Sequence, residues 1–330
     1  MNFRQSSARI RSRITLTILL PKPMSLLTVS CVTQPNILRS HLQVRLFQYV
    51  PKHKPCSKED IEKLQDFVSR KKNLLVLTGA GISTESNIPD YRSEGVGLYS
   101  RNTYRPVSYK TFTTSAKARQ RYWARNFVGW PRFSAAEPNI THRTLAEWEK
   151  NGRISLLVTQ NVDGLHRKAG SKLLTELHGT SFVVKCLSCS VTMSRHEFQK
   201  ILHKMNPYLD LEVAEIRPDG DVHLDGKLVD NFSYPDCQCG GILKPDVVFF
   251  GDNVPLERVR YVYDKLDESD GLLILGSSLE VYSAYRFPLK AVEIAKPTMI
   301  VNIGPTRADR LPGVTNISAR CGEILPDVIL

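Results

Sequence analysis

Four cysteines, one histidine and a small group of amide and acid side chains carry the chemistry that this sequence can do. The cysteines form two close pairs, Cys186 with Cys189 in "CLSC" and Cys237 with Cys239 in "CQC". Two thiolate pairs suit a tetrahedral zinc ion held between two knuckles, with Gly240 and Gly241 turning the second one. A disulfide framework is the rival reading, but it belongs to small secreted chains. Four protein ligands leave no open coordination position, so the metal expected here holds structure and does not catalyse. The second pair has one intervening residue where zinc ribbons usually have two, which demands a tighter knuckle.

His178 stands in "LLTELHGTS". A lone histidine is more often structural than catalytic, yet one followed by Gly179 can face an open cleft, where near-neutral titration suits a general base. Upstream, "TQNVDG" places Gln160, Asn161 and Asp163 just past an apolar run. That is more polar chemistry than a helix N-cap requires, at the end of a strand where open parallel sheets bind ligands.

The apolar run "LLVLT" (74–78) leads into Gly79, Ala80 and Gly81. Glycines there permit close backbone approach, and a helix amino terminus offers N–H groups to phosphate. The match to a dinucleotide fingerprint is partial, because Thr84 occupies the third glycine position. The acid that should grip the adenosine ribose is missing: Glu85, Asp90 and Glu94 come too early, and 95–136 contains no Asp or Glu. Hydride transfer is thereby disfavoured. Asp90 and Arg92 follow the loop closely enough to hold nicotinamide or pyrophosphate; the bland alternative is a solvated pair in a turn after Pro89.

These residues need a scaffold. Apolar runs at 74–78, 155–159, 246–250, 271–276 and 298–304 have the continuity of strands buried on both faces. Helix-like patterns lie at 57–71, 254–270 and 285–296. Their alternation predicts an α/β fold, a doubly wound parallel sheet of Rossmann type. The expected division is a basic presequence at 1–45, a nucleotide-binding domain at 46–183 and 243–330 with a helical segment at 91–140, and an inserted zinc module at 184–242. The polar stretch 217–231 reads as a surface excursion, although the segment 206–231 exceeds a minimal zinc module and is long enough to border an active site.

The chain of 330 residues is 42% hydrophobic, enough for a sizeable core, and carries a formal charge of +12. Residues 1–58 hold ten Lys or Arg and no Asp or Glu, which leaves +2 for the rest. The near-neutral remainder argues against nucleic acid as a partner. No apolar run reaches bilayer length, so a soluble protein without membrane association is expected. The acid-free, Arg- and Ser-containing start fits a mitochondrial transit peptide better than a secretory signal.

Taken in order, "GAGISTESNIPDYRS", "TQNVDGLH", "ELHGT", "CLSC…CQC", "VVFFGD", "GSSLEV" and "NIGPT" resemble the sirtuins, the NAD-dependent protein deacylases, over about residues 55–325. The resemblance implies a nicotinamide pocket lined by Ala80, Asp90, Asn161 and Asp163. Gly79, Gly81 and Arg92 would lie near the phosphates and proximal ribose, Gln160 on the ribose, and Gly276, Ser277, Asn302 and Cys321 along the adenosine half, with Tyr91, Ser278 and Gly304 as further cofactor contacts. It also implies that His178 is the general base, that zinc is the structural metal, and that Val247, Phe249 and Gly251 belong to a segment pairing with an extended substrate. The implied reaction removes an acyl group from lysine and yields nicotinamide and O-acyl-ADP-ribose. One family member reads succinyl-like groups with a Tyr-x-x-Arg pair, which Tyr122 and Arg125 resemble; acidic branched methylglutaryl-type groups are the expected substrates, beside lipoyl, biotinyl or weakly acetyl groups. Transfer of ADP-ribose to protein and a non-enzymatic NAD-binding regulator are the alternatives. The expected partners are acylated lysines of mitochondrial matrix proteins, met by a monomer. One departure is Asn87, where the family usually has glycine before "IPD"; asparagine tolerates a left-handed backbone.

Overall fold

The computed structural model describes residues 48–330 except 102, 104, 212 and 214. The expected presequence lies outside the described residues. Nine strands occur among them: β1 Leu74–Thr78, β2 Ile154–Thr159, β3 Leu174–Glu176, β4 Gly179–Cys186, β5 Thr192–Ser194, β6 Leu243–Val247, β7 Gly271–Leu275, β8 Thr298–Val301 and β9 Val314–Ile317.

Six of them form one parallel sheet in the order β3-β2-β1-β7-β8-β9. Counted along that sheet alone, this is the doubly wound dinucleotide order, with its topological switch between β1 and β7. Side-chain alternation divides the sheet's apolar residues into two cores. Leu74, Val76, Leu273 and Leu275 face one way and pack with Leu64 and Val68 of the helix Lys58–Ser69 and with Leu145 and Trp148 of the helix Ile140–Lys150. Leu75, Leu77, Leu272 and Ile274 face the other way, against Val262 and Leu266 of Leu256–Glu268 and Phe287 and Ala291 of Tyr282–Glu293. A sheet covered on both faces needs continuous apolar strands, which is why β1 and β7 lack alternation.

Two expectations are corrected. The run at 246–250 is not a strand of the main sheet: β6 ends at Val247 and pairs antiparallel with β4 in a separate sheet of order β5-β4-β6. Burial on both faces, read from a short apolar run, does not distinguish a sheet strand from an extended segment lining a cleft. The loop after β1 does not open an α-helix either. Ala80–Ser86 is a 3₁₀ segment that stops at Asn87, whose φ of 60° is the left-handed conformation expected there.

A third core joins the helix Ala116–Ser134 to the cysteine segment. Trp123, Phe127 and Trp130 pack with Phe198 and Leu202 of the helix Arg195–Met205. Arg195 is fully buried among them, its guanidinium 4.7 Å from the Trp130 ring centroid and hydrogen-bonded to the Asn126 side chain. The stretch 217–231 is not a simple surface excursion, since Pro218, Gly220, Asp221, Val222 and Val229 are all buried.

Candidate active site

The carboxyl ends of β1, β2 and β7 open at the switch point into a cavity of about 1120 Å³. Close packing of two loops creates it. A Cβ added at Gly79 would lie 2.7 Å from Ser277 Cβ, and one at Gly81 would lie 2.8 Å from the Gly276 carbonyl oxygen. The Gly79 and Gly81 amides donate to the Leu275 and Gly276 carbonyls at 3.0 and 2.9 Å. These N–H groups therefore do not form the free phosphate cradle expected from the sequence. The glycines act by letting the β1 and β7 loops touch, and Gly79 is not on the cavity wall.

The remaining sequence-predicted cofactor residues converge on that wall: Ala80, Gly81, Asp90, Tyr91, Arg92, Gln160, Asn161 and Asp163 on one side, with Gly276, Ser277, Ser278, Asn302, Gly304 and Cys321 on the other. Asp90 is not a solvated half of an ion pair. It is buried, and its carboxylate accepts from the Arg92 and Ser93 amides at 3.0 and 2.8 Å and from the Ser93 hydroxyl, which shapes the turn. The Asn161 amide donates to the Gly79 carbonyl and to Ser83 Oγ, both at 3.1 Å. Ser83 in turn donates to Asp163 at 2.7 Å, and Asp163 also accepts from the Leu165 amide at 3.0 Å. Burial pushes the Asp163 carboxyl above its ordinary range, while these donors act in the opposite direction. Gln160 spans the switch point, donating to the Thr78 carbonyl and Ser277 Oγ. Burial first, and the nearby Glu85 carboxylate second, drive the Cys321 thiol up to about 12, which makes it a packing group and not a nucleophile.

His178 lines the same cavity. Its Nδ1 lies 2.9 Å from the Gln160 carbonyl oxygen, which can only accept, so Nδ1 carries the proton. Nε2 then holds the lone pair and takes a hydrogen bond from Ser283 Oγ at 2.8 Å. Burial lowers the pKa of the ring to about 4, which keeps it neutral and ready to accept a proton. Val247, Phe249 and Gly251 follow on the wall. Val248 N–H donates to the His178 carbonyl and the Phe250 carbonyl accepts from Tyr109, so the protein already uses these groups of the expected substrate strand.

The two acyl-reading candidates separate. Tyr122 lines the cavity, edge-on to Phe112 and tilted against Phe249. Arg125, one turn on, does not. Its Nη2 is 2.9 Å from Asp221 Oδ2 and its Nε donates to the Val222 carbonyl at 2.8 Å. It faces a second cavity of about 640 Å³. The expectation of direct contact between Arg125 and an acyl carboxylate is corrected, because the segment 217–222 stands in between.

Sequence reasoning missed Ser83, Ser283 and Asp219. A serine carries no periodic or spacing signal, and Asp219 sits in a turn-rich stretch whose burial only the fold reveals.

The four cysteines come together as expected. Their sulfurs all lie within 4.8 Å of one another, with Cys186 and Cys239 3.6 Å apart and Cys189 and Cys237 3.7 Å apart. Zinc–sulfur bonds of about 2.3 Å in a tetrahedron put sulfurs about 3.8 Å apart, so the donor set fits zinc. Gly240 takes φ +78° in the knuckle, and a Cβ at Gly241 would meet Cys186 Sγ at 2.6 Å, which explains the "GG".

The fold and this wall coincide with one known family. A model described as the Sir2 family matches residues 79–283, and the chain belongs to that family. The NAD-dependent protein deacylase Sirt4 of Drosophila melanogaster is 55% identical over 280 residues, covering 84% of this chain and 89% of its own. The human NAD-dependent protein lipoamidase sirtuin-4, mitochondrial, is 53% identical over 296 residues, 89% of this chain and 93% of its own. A solved Sir2 enzyme superposes with a TM-score of 0.63 at 30% identity, covering 83% of this chain and 97% of its own. A Sir2 complex with a p53 peptide and NAD+ gives 0.63 at 29% identity, covering 81% and 96%.

Proposed function

We propose that the protein is an NAD-dependent protein lysine deacylase in which His178 is the general base. The observation that carries this reading is the hydrogen-bond state of His178: a neutral ring, protonated on Nδ1, with its Nε2 lone pair on the wall of a cavity that also exposes Asp90, Asn161 and Asp163. The deacylase and lipoamidase names of the Drosophila and human relatives support it.

NAD, when bound, supplies a ribose carbon that becomes electrophilic as nicotinamide leaves. The chain's own residues do the rest. Asn161 and Asp163, fixed by Ser83 and the Gly79 carbonyl, present polar groups suited to a carboxamide such as nicotinamide. Asp90 holds the loop bearing Arg92 over that pocket. The extended segment 247–251 orients an acyl-lysine beside His178, and Nε2 takes the proton of a hydroxyl brought to it while the Gln160 carbonyl holds Nδ1–H. Phe249, Tyr122 and Val107 exclude water from the acyl chain. Zinc on Cys186, Cys189, Cys237 and Cys239 keeps the small sheet in place.

The mitochondrial name of the human relative, together with the acid-free start, supports a mitochondrial site, and we place the protein in the matrix as a monomer acting on acylated lysines there. Incubation with acyl-lysine peptides and NAD tests the reading: nicotinamide release matched one-to-one by loss of acyl mass is expected, and acyl loss without NAD contradicts it.

A further inference from the structure

We propose that Asp219 reads the distal end of the acyl chain, so that acidic acyl groups bind with a proton shared between their carboxylate and the Asp219 carboxyl. This rests on the deacylase reading and names the residue that sets its substrate class.

The turn carrying Asp219 is clamped in place. Arg217 N–H donates to the Asp221 carbonyl at 2.7 Å and Gly220 N–H to the Arg217 carbonyl at 2.9 Å. The Asp221 carboxylate is 5% exposed and takes Arg125 and Arg217, each at 2.9 Å. On its other side the turn rests on the helix Ala116–Ser134, where a Cβ at Gly129 would fall 2.1 Å from the Gly220 carbonyl oxygen. Gly129 thus seats the turn against Phe133 and Val222, and the seating puts Pro218 and Asp219 into the cavity wall beside Tyr122. The arginine that sequence spacing offers to an acyl carboxylate is taken by Asp221, and Asp219 lines the wall in its place, its Oδ1 accepting from the Asp221 amide at 3.3 Å.

The surroundings decide the protonation of that carboxyl. Asp221 from its own turn, Tyr122 and Arg125 from the helix behind, and Tyr99 from the 91–101 segment all act on it. Arg105 and Arg92 lie against Tyr99, 4.4 and 5.5 Å from its ring centroid. Burial and the like charge of Asp221 raise Asp219 to about 7, against the Asp221 amide that donates to Asp219 Oδ1 at 3.3 Å, its own amide and, least, Arg125. Burial and Asp219 itself raise Tyr122, which therefore keeps its phenol proton. Below neutrality the wall offers two hydroxyl donors, the phenol and the carboxyl. They suit acyl chains that end in an oxygen acceptor, whether a carboxylate or a carbonyl. Above neutrality Asp219 ionises and repels a second carboxylate at short range, as paired carboxylates do. A neutral acyl chain without an acceptor feels neither effect.

The test is the ratio of kcat/KM for a glutaryl-lysine peptide to that for a hexanoyl-lysine peptide, measured from pH 6 to 9 on the full chain. His178 and NAD are common to both reactions and cancel in the ratio. The expected ratio is flat to about pH 7 and then falls by up to about tenfold per pH unit, and Asp219→Asn removes the fall. A native ratio independent of pH overturns the proposal with no substitution needed, as does a fall that persists in Asp219→Asn. Hexanoyl turnover separates the two claims: hexanoyl loss with a flat ratio sinks only the role of Asp219, whereas no NAD-dependent loss of either group sinks the deacylase reading and the proposal with it.

Discussion

Ser283 Oγ lies 2.8 Å from Nε2 of His178, on the side of the ring opposite the Gln160 carbonyl. The base is thus held in one tautomer from both sides, and a substrate hydroxyl must displace Ser283 to be deprotonated. His178→Tyr is expected to lower kcat/KM about 10²- to 10⁴-fold, and Ser283→Ala by only about 2- to 10-fold, both read by acyl-peptide turnover. Because burial places His178 at about 4, the acid limb of the kcat/KM profile should fall near that value and not near 6.5.

Ser83 joins Asn161 to Asp163. Ser83→Ala removes one donor from a buried carboxylate, with an expected stability loss of about 1–3 kcal/mol and a several-fold rise in the KM for NAD. Denaturant unfolding and NAD titration of the same variant check the two effects.

Gly79→Ala forces a methyl against Ser277 Cβ and the Gly276 backbone, at 2.7 and 2.8 Å. Backbone cannot rotate away as a side chain can, so the expected destabilisation is about 1–3 kcal/mol, measured as a shift in the denaturant midpoint with unchanged slope.

The contribution of the buried histidines to stability should rise with pH between about 4 and 6.5. His142, His166 and His178 are all driven below their ordinary value by burial, His166 to about 3, so in that window the unfolded chain binds more protons than the folded one. Asp219, raised to about 7, has the opposite sign, as do Asp163 and Glu85, which burial raises: through these groups the folded chain binds extra protons above their unfolded values, and stability falls with pH there. His166→Asn should move the midpoint of acid unfolding to lower pH, and Asp219→Asn should increase the stability gained between pH 4 and 7.

One zinc per chain is expected by elemental analysis. Cys186→Ala or chelation should lower the melting temperature by roughly 10 °C, the shift that a loss of about 4 kcal/mol gives in a domain of this size.

The parallel sheet was legible because β1, β2, β7 and β8 are continuous apolar runs buried on both faces, and the metal cluster because thiolate spacing reports geometry directly. β3 and β9 were not, being short edge strands with half-exposed patterns. Asn87 announced its left-handed backbone by residue type. Arg125 misled because helical spacing fixes which face a side chain occupies but not what an intervening loop lays over that face. Ser83 and Ser283 matter through hydrogen bonds that only the fold assembles, and Asp219 through a place on the cavity wall that its turn-rich neighbours disguise.

The most direct measurement is mass spectrometry of acyl-lysine peptides incubated with NAD and either the native protein or His178→Tyr. Acyl loss with one nicotinamide released per turnover, no NADH formed and no reaction in the variant, is the expected result. Nicotinamide release with ADP-ribose appearing on protein and the acyl group retained would contradict it.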